Sequence, residues 1–225
     1  MMVAAIPDEI RTPLNGILGF TELLASQKDI DHSKKTKFSG IIKKNAESLM
    51  QIINDILDIS KLETGQISIV KRKFNLNETL LNLHSLYTQK LADVEKNHLD
   101  LKLVAPQEKV ILNTDENRLS QVFINLLDNA LKFTHKGSIS FGVKEILDSK
   151  IVFEVSDSGI GIAPDKQSII FERFAQAGNE ISVNYGGNGL GLSIVKKLIG
   201  LMGGEIIVES NPGKGSKFIF HLPLN

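Results

Sequence analysis

The chain has 225 residues, 42% of them hydrophobic and 23% charged, an ordinary balance for a globular protein with a real core and a comfortable length for two unequal domains. Lys+Arg and Asp+Glu both count 26, so the formal net charge is zero and nothing argues for nucleic acid or an acidic membrane as partner. Cysteine is absent, which excludes disulfides and thiolate metal sites and fits a reducing compartment, and neither a membrane-spanning apolar run nor a signal-peptide pattern occurs.

Glu9 to Ser26 reads as an amphipathic helix, with Ile10, Leu14, Ile17, Leu18, Thr21 and Leu24 on one face. Pro13 removes an N–H inside that pattern and predicts a kink between Glu9 and Pro13. Gln27 to Ser33 is polar and reads as a turn. A second helix, Lys34 to Leu62, carries the seam Phe38, Ile42, Leu49, Ile53, Ile56 and Leu62, widened by Ile41, Ile52 and Leu57. An antiparallel hairpin cannot bury two such stripes alone. It either packs on the rest of the chain or pairs with a second copy into a four-helix bundle, and the homodimer is the expectation. Glu63-Thr64-Gly65 breaks the helix, which divides the chain into a hairpin domain, 1–65, and a second domain, 66–225.

In the second domain, Ile67 to Val70 reads as a strand and Asn75 opens a helix running to about Lys96. Leu99, Leu101 and Leu103 alternate as a strand, and Val110 to Leu112 reads as a short one. Next comes a helix with the buried stripe Leu119, Val122, Phe123, Leu126, Leu127, Ala130 and Leu131. Ser138 to Glu145 and Lys150 to Val155 form a hairpin with its turn near Asp148-Ser149. Phe171 to Asn188 is polar and glycine-dotted and reads as a lid. A helix from Leu190 to Met202 and strands at Glu205 to Glu209 and Lys217 to His221 complete the domain. Strands and helices without strict alternation argue α+β, one mixed sheet covered by helices on one face.

Three segments carry chemistry. Asn125, Asn129 and Lys132 lie at i, i+4 and i+7 and share a helix face away from the apolar stripe. Two carboxamide oxygens and an ammonium suit a magnesium ion with a polyphosphate. A solvated polar face has the same pattern, but the glycine-rich segments downstream favour a ligand. Asp157-Ser158-Gly159-Ile160-Gly161-Ile162 follows a strand, so Asp157 can accept a hydrogen bond from an adenine amino group while Gly159 and Gly161 let backbone approach. Gly186-Gly187-Asn188-Gly189-Leu190-Gly191-Leu192-Ser193 opens a helix whose N–H groups can meet phosphate oxygens. The spacing is neither the dinucleotide fingerprint nor the G-x-x-x-x-G-K-[ST] loop.

Together these segments resemble the catalytic core of a sensor histidine kinase, with the Bergerat-type ATP-binding domain shared with DNA gyrase B, MutL and heat-shock ATPase chaperones. The Asn125 helix is similar to the family's N box, Asp157 to Ile162 to its G1 box, Ile170 to Phe174 to its F box, Gly187 to Leu192 to its G2 box, and Gly213 to Phe218 to its final glycine segment. The resemblance implies a hairpin in a dimeric four-helix bundle followed by an α/β-sandwich domain that binds ATP and Mg2+. It implies nucleotide contacts from Asn125, Asn129, Lys132, Phe133, Asp157, Gly159, Gly161, Ile162, Gly187, Gly189, Leu190, Gly191, Leu192 and Ser216. Asn129 would be the main metal ligand, assisted by Asn125, and Ser216 would bond Asp157 or a water near adenine. Phe133 serves either the core or stacking on adenine. Phe171 and Phe174 would anchor the lid rather than touch ATP. His32, His84, His98, His135 and His221 lie in no acceptor motif.

Glu9-Ile10-Arg11-Thr12-Pro13-Leu14-Asn15 resembles the H box, in which a histidine precedes the glutamate and receives the phosphoryl group. Here that position is Asp8, preceded by Pro7. Asp8 could accept phosphate as aspartyl-phosphate enzymes do, could imitate the phosphorylated state, or could be inert. Pro7 and Asp8 make a good helix start, which favours inertness. Glu9 would orient a histidine at position 8, and Thr12 would hold water for dephosphorylating a regulator. Asparagine at 125, where hydrolysing relatives carry glutamate, cannot take a proton. Two readings of different class follow. One is a histidine kinase core that passes phosphate to the receiver domain of a response regulator. The other is a pseudokinase-type, ATP-gated interaction module, which Asp8 favours. A gyrase-like hydrolase is disfavoured. Met1-Met2 directly before an H box points to a cytoplasmic piece cut just upstream of a signalling helix, without membrane contact of its own, from a parent protein that can itself be membrane-anchored.

Overall fold

The computed structural model describes residues 8–26, 30–93, 96, 98–173 and 189–224, with side chains from Ile10 onward. The chain forms two compact units, Met1–Thr64 and Gly65–Asn225.

The first unit is a helical hairpin of α1 (Asp8–Ser26) and α2 (His32–Glu63). α1 continues through Pro13, which is buried. The rings of Phe20 and Phe38 meet at a centroid distance of 5.4 Å across the pair. A Cβ on Gly16 would come within 2.9 Å of the Asn45 side-chain oxygen, so glycine is what allows the helices to approach there. Asn45 is held in turn by donating to Ile41 O at 2.8 Å. Both helices leave apolar side chains in water: Leu18 is 53% exposed, Met50 56% and Leu57 50%. The hairpin therefore does not bury its own stripes.

The second unit contains β1 (Arg72–Asn75), α3 (Leu76–Asp93), β2 (Asp100–Val104), β3 (Ile111–Thr114), α4 (Glu116–Phe133), β4 (Ser138–Ile146), β5 (Lys150–Asp157), α5 (Pro164–Gln167), α6 (Gly191–Leu201), β6 (Glu205–Ser210) and β7 (Ser216–Pro223). The main sheet has the order β2-β4-β5-β7-β6. β2 pairs parallel with β4 and the remaining pairs are antiparallel. This is the expected mixed sheet. The expectation of a single sheet fails, because β1 and β3 form a separate antiparallel ribbon.

The strand expected at Ile67 to Val70 also fails. Val70 donates its N–H to the Asp115 carboxylate at 3.0 Å, so this apolar stretch is tied by a side chain and not by a ladder. The strand that does form is the more polar Arg72–Asn75, because Arg72 to Asn75 meet Thr114 to Ile111 in register. Asn75 then accepts the Asn77 N–H at 3.2 Å and starts α3, described from Leu76 to Asp93, near the expected end.

α4 directs the core. Phe123 lies edge-on to Phe141 of β4, Phe153 of β5 and Phe220 of β7, at centroid distances of 5.9, 5.6 and 5.5 Å. All four rings are essentially fully buried. Each such side chain contributes roughly 1.5–3 kcal/mol by leaving water. Helical period in α4 and strand period in β4, β5 and β7 thus aim at one cluster. That contact fixes α4 against the sheet and turns its polar face away from it.

Candidate functional site

Asp115 caps α4 by accepting the Arg118 N–H at 3.1 Å. Along the helix, Asn125, Asn129 and Lys132 are all half-buried. The Asn125 side-chain nitrogen is buried without a hydrogen-bond partner. Its carboxamide oxygen lies 3.8 Å from where a Cβ on Gly191 would stand, at the first turn of α6. The N–H groups of a first helical turn have no partner inside the helix. A carboxamide whose nitrogen is unpartnered thus stands beside a helix N-terminus, the kind of helix end whose free N–H groups suit phosphate oxygens. Gly189 reaches this turn at φ +63°. Leu190 is fully buried, so it offers the site backbone only. Gly191 and Leu192 are half-buried, and Gly187 lies outside the described residues.

Asp157 is the last residue of β5. Its carboxylate accepts the Gly159 N–H at 2.7 Å and the backbone N–H of Ser216 on the paired strand. Burial pushes its pKa above the usual carboxylate range, and these hydrogen bonds oppose the shift only in part. Thr134, which ends α4, brings its hydroxyl near enough to favour the charged carboxylate, yet that fully buried oxygen has no partner at hydrogen-bonding geometry. Two orphaned polar groups in one site, the Asn125 amide and the Thr134 hydroxyl, are what a polar ligand would satisfy.

The G1 segment is clamped on both sides. Ile160 donates to Phe133 O at 3.3 Å and accepts from the Gly213 N–H at 2.7 Å. Ile162 donates to the Ser210 hydroxyl at 2.8 Å, which itself donates to Gly215 O at 2.7 Å. Gly161 has φ +71°, and a Cβ there would stand 2.0 Å from Asn211 O. Gly161→Ala should therefore lower stability by about 1–3 kcal/mol in denaturant melts and abolish nucleotide binding in calorimetry.

Ser216 lies beside Asp157: its backbone N–H serves that carboxylate, and its hydroxyl lies 3.1 Å from that of Ser210. Lys132 rests its ammonium over the Phe133 ring, 4.5 Å from the centroid, and burial lowers its pKa. Phe133 is half-buried. Phe171 packs edge-on to Phe218 of β7 at 6.4 Å, beneath the Lys196 ammonium at 5.6 Å. Phe174 and the remainder of the expected lid lie outside the described residues, as does Pro7. The side chains of Asp8 and Glu9 are likewise outside them, whereas Arg11 and Thr12 are exposed on α1. Sequence reasoning missed Thr134. Its position directly after Lys132 and Phe133 at the helix end was the available signal.

A mixed sheet backed by α3, α4 and α6, with a carboxylate at one strand end and a glycine-led helix N-terminus opposite an asparagine face, defines the histidine kinase and gyrase type of ATP-binding fold. Family models agree. Residues 1–65 match the His Kinase A (phospho-acceptor) domain, and residues 114–225 match the histidine kinase-, DNA gyrase B- and HSP90-like ATPase. The chain is 39% identical over 99% of its length to the autoinducer 2 sensor kinase/phosphatase LuxQ of Vibrio vulnificus (strain YJ016), and covers 26% of that protein. Full-length ShkA in complex with AMPPNP superposes with TM-score 0.72 at 29% identity, covering 96% of this chain and 44% of that one. Histidine kinase ThkA in complex with the response regulator TrrA gives TM-score 0.74 at 27% identity, covering 97% of this chain and 59% of that one. The chain belongs to the sensor histidine kinase family and comprises its phosphoacceptor-type and ATP-binding domains. It spans about a quarter (26%) of the length of the LuxQ relative.

Among the described residues, no helix is long and apolar enough to cross a membrane. No group of three or more His, Cys, Asp or Glu side chains among them could hold a metal. A divalent ion at this site would instead be shared between asparagine oxygens and phosphate oxygens, which suits magnesium.

Proposed function

We propose that this chain is a two-component histidine kinase core that binds Mg·ATP in its second domain, and that its own H box is silent because Asp8 stands where the acceptor histidine would be. The observation that carries the nucleotide site is the Asn125 side chain, with its nitrogen unpartnered and its oxygen beside the α6 N-terminus. Asp157 accepts the adenine amino group, and the first turn of α6 receives the phosphates. Lys132 swings from the Phe133 ring toward the triphosphate, and Phe133 stacks on the base. Asn129 and Asn125 hold magnesium, which when bound neutralises charge on the phosphates. Asn125 has no proton-accepting group to activate water, so ATP persists for transfer to a protein nucleophile. Titration calorimetry tests the site: saturable micromolar Mg·ATP binding is expected, and absence of heat at millimolar nucleotide sinks it.

The exposed apolar stripes on α1 and α2 support pairing of two copies through the hairpin. Light scattering at tens of micromolar (about the range where such interfaces persist) should give a dimer for the whole chain. A fragment of residues 66–225 should be a folded monomer that still binds ATP. A monomeric whole chain would refute the bundle. The ThkA complex supports a receiver domain as the downstream partner. Asp8 itself favours a second reading, in which bound nucleotide only sets domain arrangement.

A further inference from the structure

α4 ends in Lys132, Phe133 and Thr134, beside Asp157 in the site described above. The last carbonyls of a helix have no partner inside it. Phe133 O is taken by Ile160. Two others are taken by one ammonium from outside the helix: Lys96 donates to Leu131 O at 2.6 Å and to Thr134 O at 3.0 Å. His98 extends the same contact, with Nε2 2.7 Å from His135 O. Facing a carbonyl, that nitrogen must carry its proton. The backbone that presents Lys96 is itself fixed, because its N–H donates to Leu91 O and its carbonyl accepts from Leu99, both at 2.9 Å.

We propose that Lys96 is a positioning residue for the nucleotide site, locking the final turn of α4 so that Lys132, Phe133 and Thr134 face the bound base and phosphates. The ammonium satisfies two helix-end carbonyls at once and places positive charge at the negative end of the helix dipole. A neutral side chain would leave those carbonyls to water and free the turn that carries three site residues. α3 itself makes a charged link to α4, from Lys90 to Asp128, which also accepts from the Tyr87 hydroxyl at 2.7 Å. That link lies before the last turn and supplies the comparison.

The inference rests on the nucleotide-site reading, so the experiment begins with the unaltered full chain. Mg·ATP and Mg·ADP are titrated by calorimetry, well below the unfolding midpoint, into the unaltered chain, Lys96→Met, Lys96→Arg and Lys90→Met. Lys96→Met should weaken both nucleotides by the same factor, about tenfold, since the freed turn serves the shared part of the ligand. Lys96→Arg should recover most of the loss. Lys90→Met should lower the melting temperature without changing either affinity. Unchanged affinity in Lys96→Met, or a loss confined to ATP, overturns the inference while leaving the site reading intact. Absence of binding to the unaltered chain overturns both. If Lys96→Met does not fold, Lys96→Gln, which keeps a neutral donor, replaces it, and affinity equal to the unaltered chain again overturns the inference.

Discussion

Incubated with γ-labelled ATP, the chain as it stands should bind Mg·ATP and incorporate no acid-labile phosphate, whereas Asp8→His should label. The reason is chemical: a phosphoramidate needs an imidazole nitrogen, and none precedes Glu9. With histidine restored, Glu9 can take the second ring proton and orient the nucleophile, a contribution of about 10²–10⁴-fold in general-base systems. The helical frame is already present, since α1 begins at Asp8 and continues through Pro13. Pro7 can limit the gain by starting the helix immediately before the ring, with no helical turn upstream to hold it, so Pro7→Ser with Asp8→His should label more strongly. Thr12, one turn after position 8, would then serve dephosphorylation of a regulator. Three results would count against this. Alkali-stable label on the unaltered chain places phosphohistidine at another site. Hydroxylamine-sensitive label makes Asp8 itself the acceptor, as an acyl phosphate. A double variant that binds ATP normally and takes no label means the motif is not a working H box, which leaves the ATP-gated module as the function.

Asp157→Asn should weaken ATP about tenfold or more, because a buried hydrogen bond to a charged group contributes roughly 1.5–3 kcal/mol. pH separates this carboxylate from a merely structural one. Its folded pKa is raised, chiefly by burial. A carboxyl raised on folding contributes stability that is fully present below its unfolded pKa and lost as pH rises through the folded value. ATP affinity runs the opposite way, because the ionised carboxylate accepts from the adenine amino group more strongly than the neutral acid does. Between about pH 4 and 7 affinity should therefore climb in the unaltered chain, with the midpoint above the ordinary aspartate range. In Asp157→Asn the same titration should be nearly flat. Calorimetry with unchanged affinity, or with parallel pH profiles for the two proteins, removes Asp157 from the adenine contact.

Residues Asn125, Asn129 and Lys132 were legible as one polar face because helical period is a property of contiguous sequence, and the same period sets α4's buried stripe. The hairpin helices and the strands β4, β5 and β7 follow equally from local pattern, as does the order of the nucleotide-binding segments. What resisted reading depends on partners far away in the chain. Ile67 to Val70 has a strand's alternation, yet strand formation belongs to Arg72–Asn75, whose backbone meets β3. Ser216 was expected to bond Asp157 or a water, but which of its atoms meets Asp157 depends on the β5–β7 register, which presents its N–H there and leaves the hydroxyl to Ser210. Lys96 read as lying near the end of a helix. Only the fold brings it to carbonyls 35 and 38 residues away. Periodicity and motif order are written residue by residue, so the sequence alone determined the family, the main helices and the polar face proposed to hold the ligand. Ladder partners and side-chain-to-backbone bonds arise when distant segments meet, and those were decided by the tertiary structure.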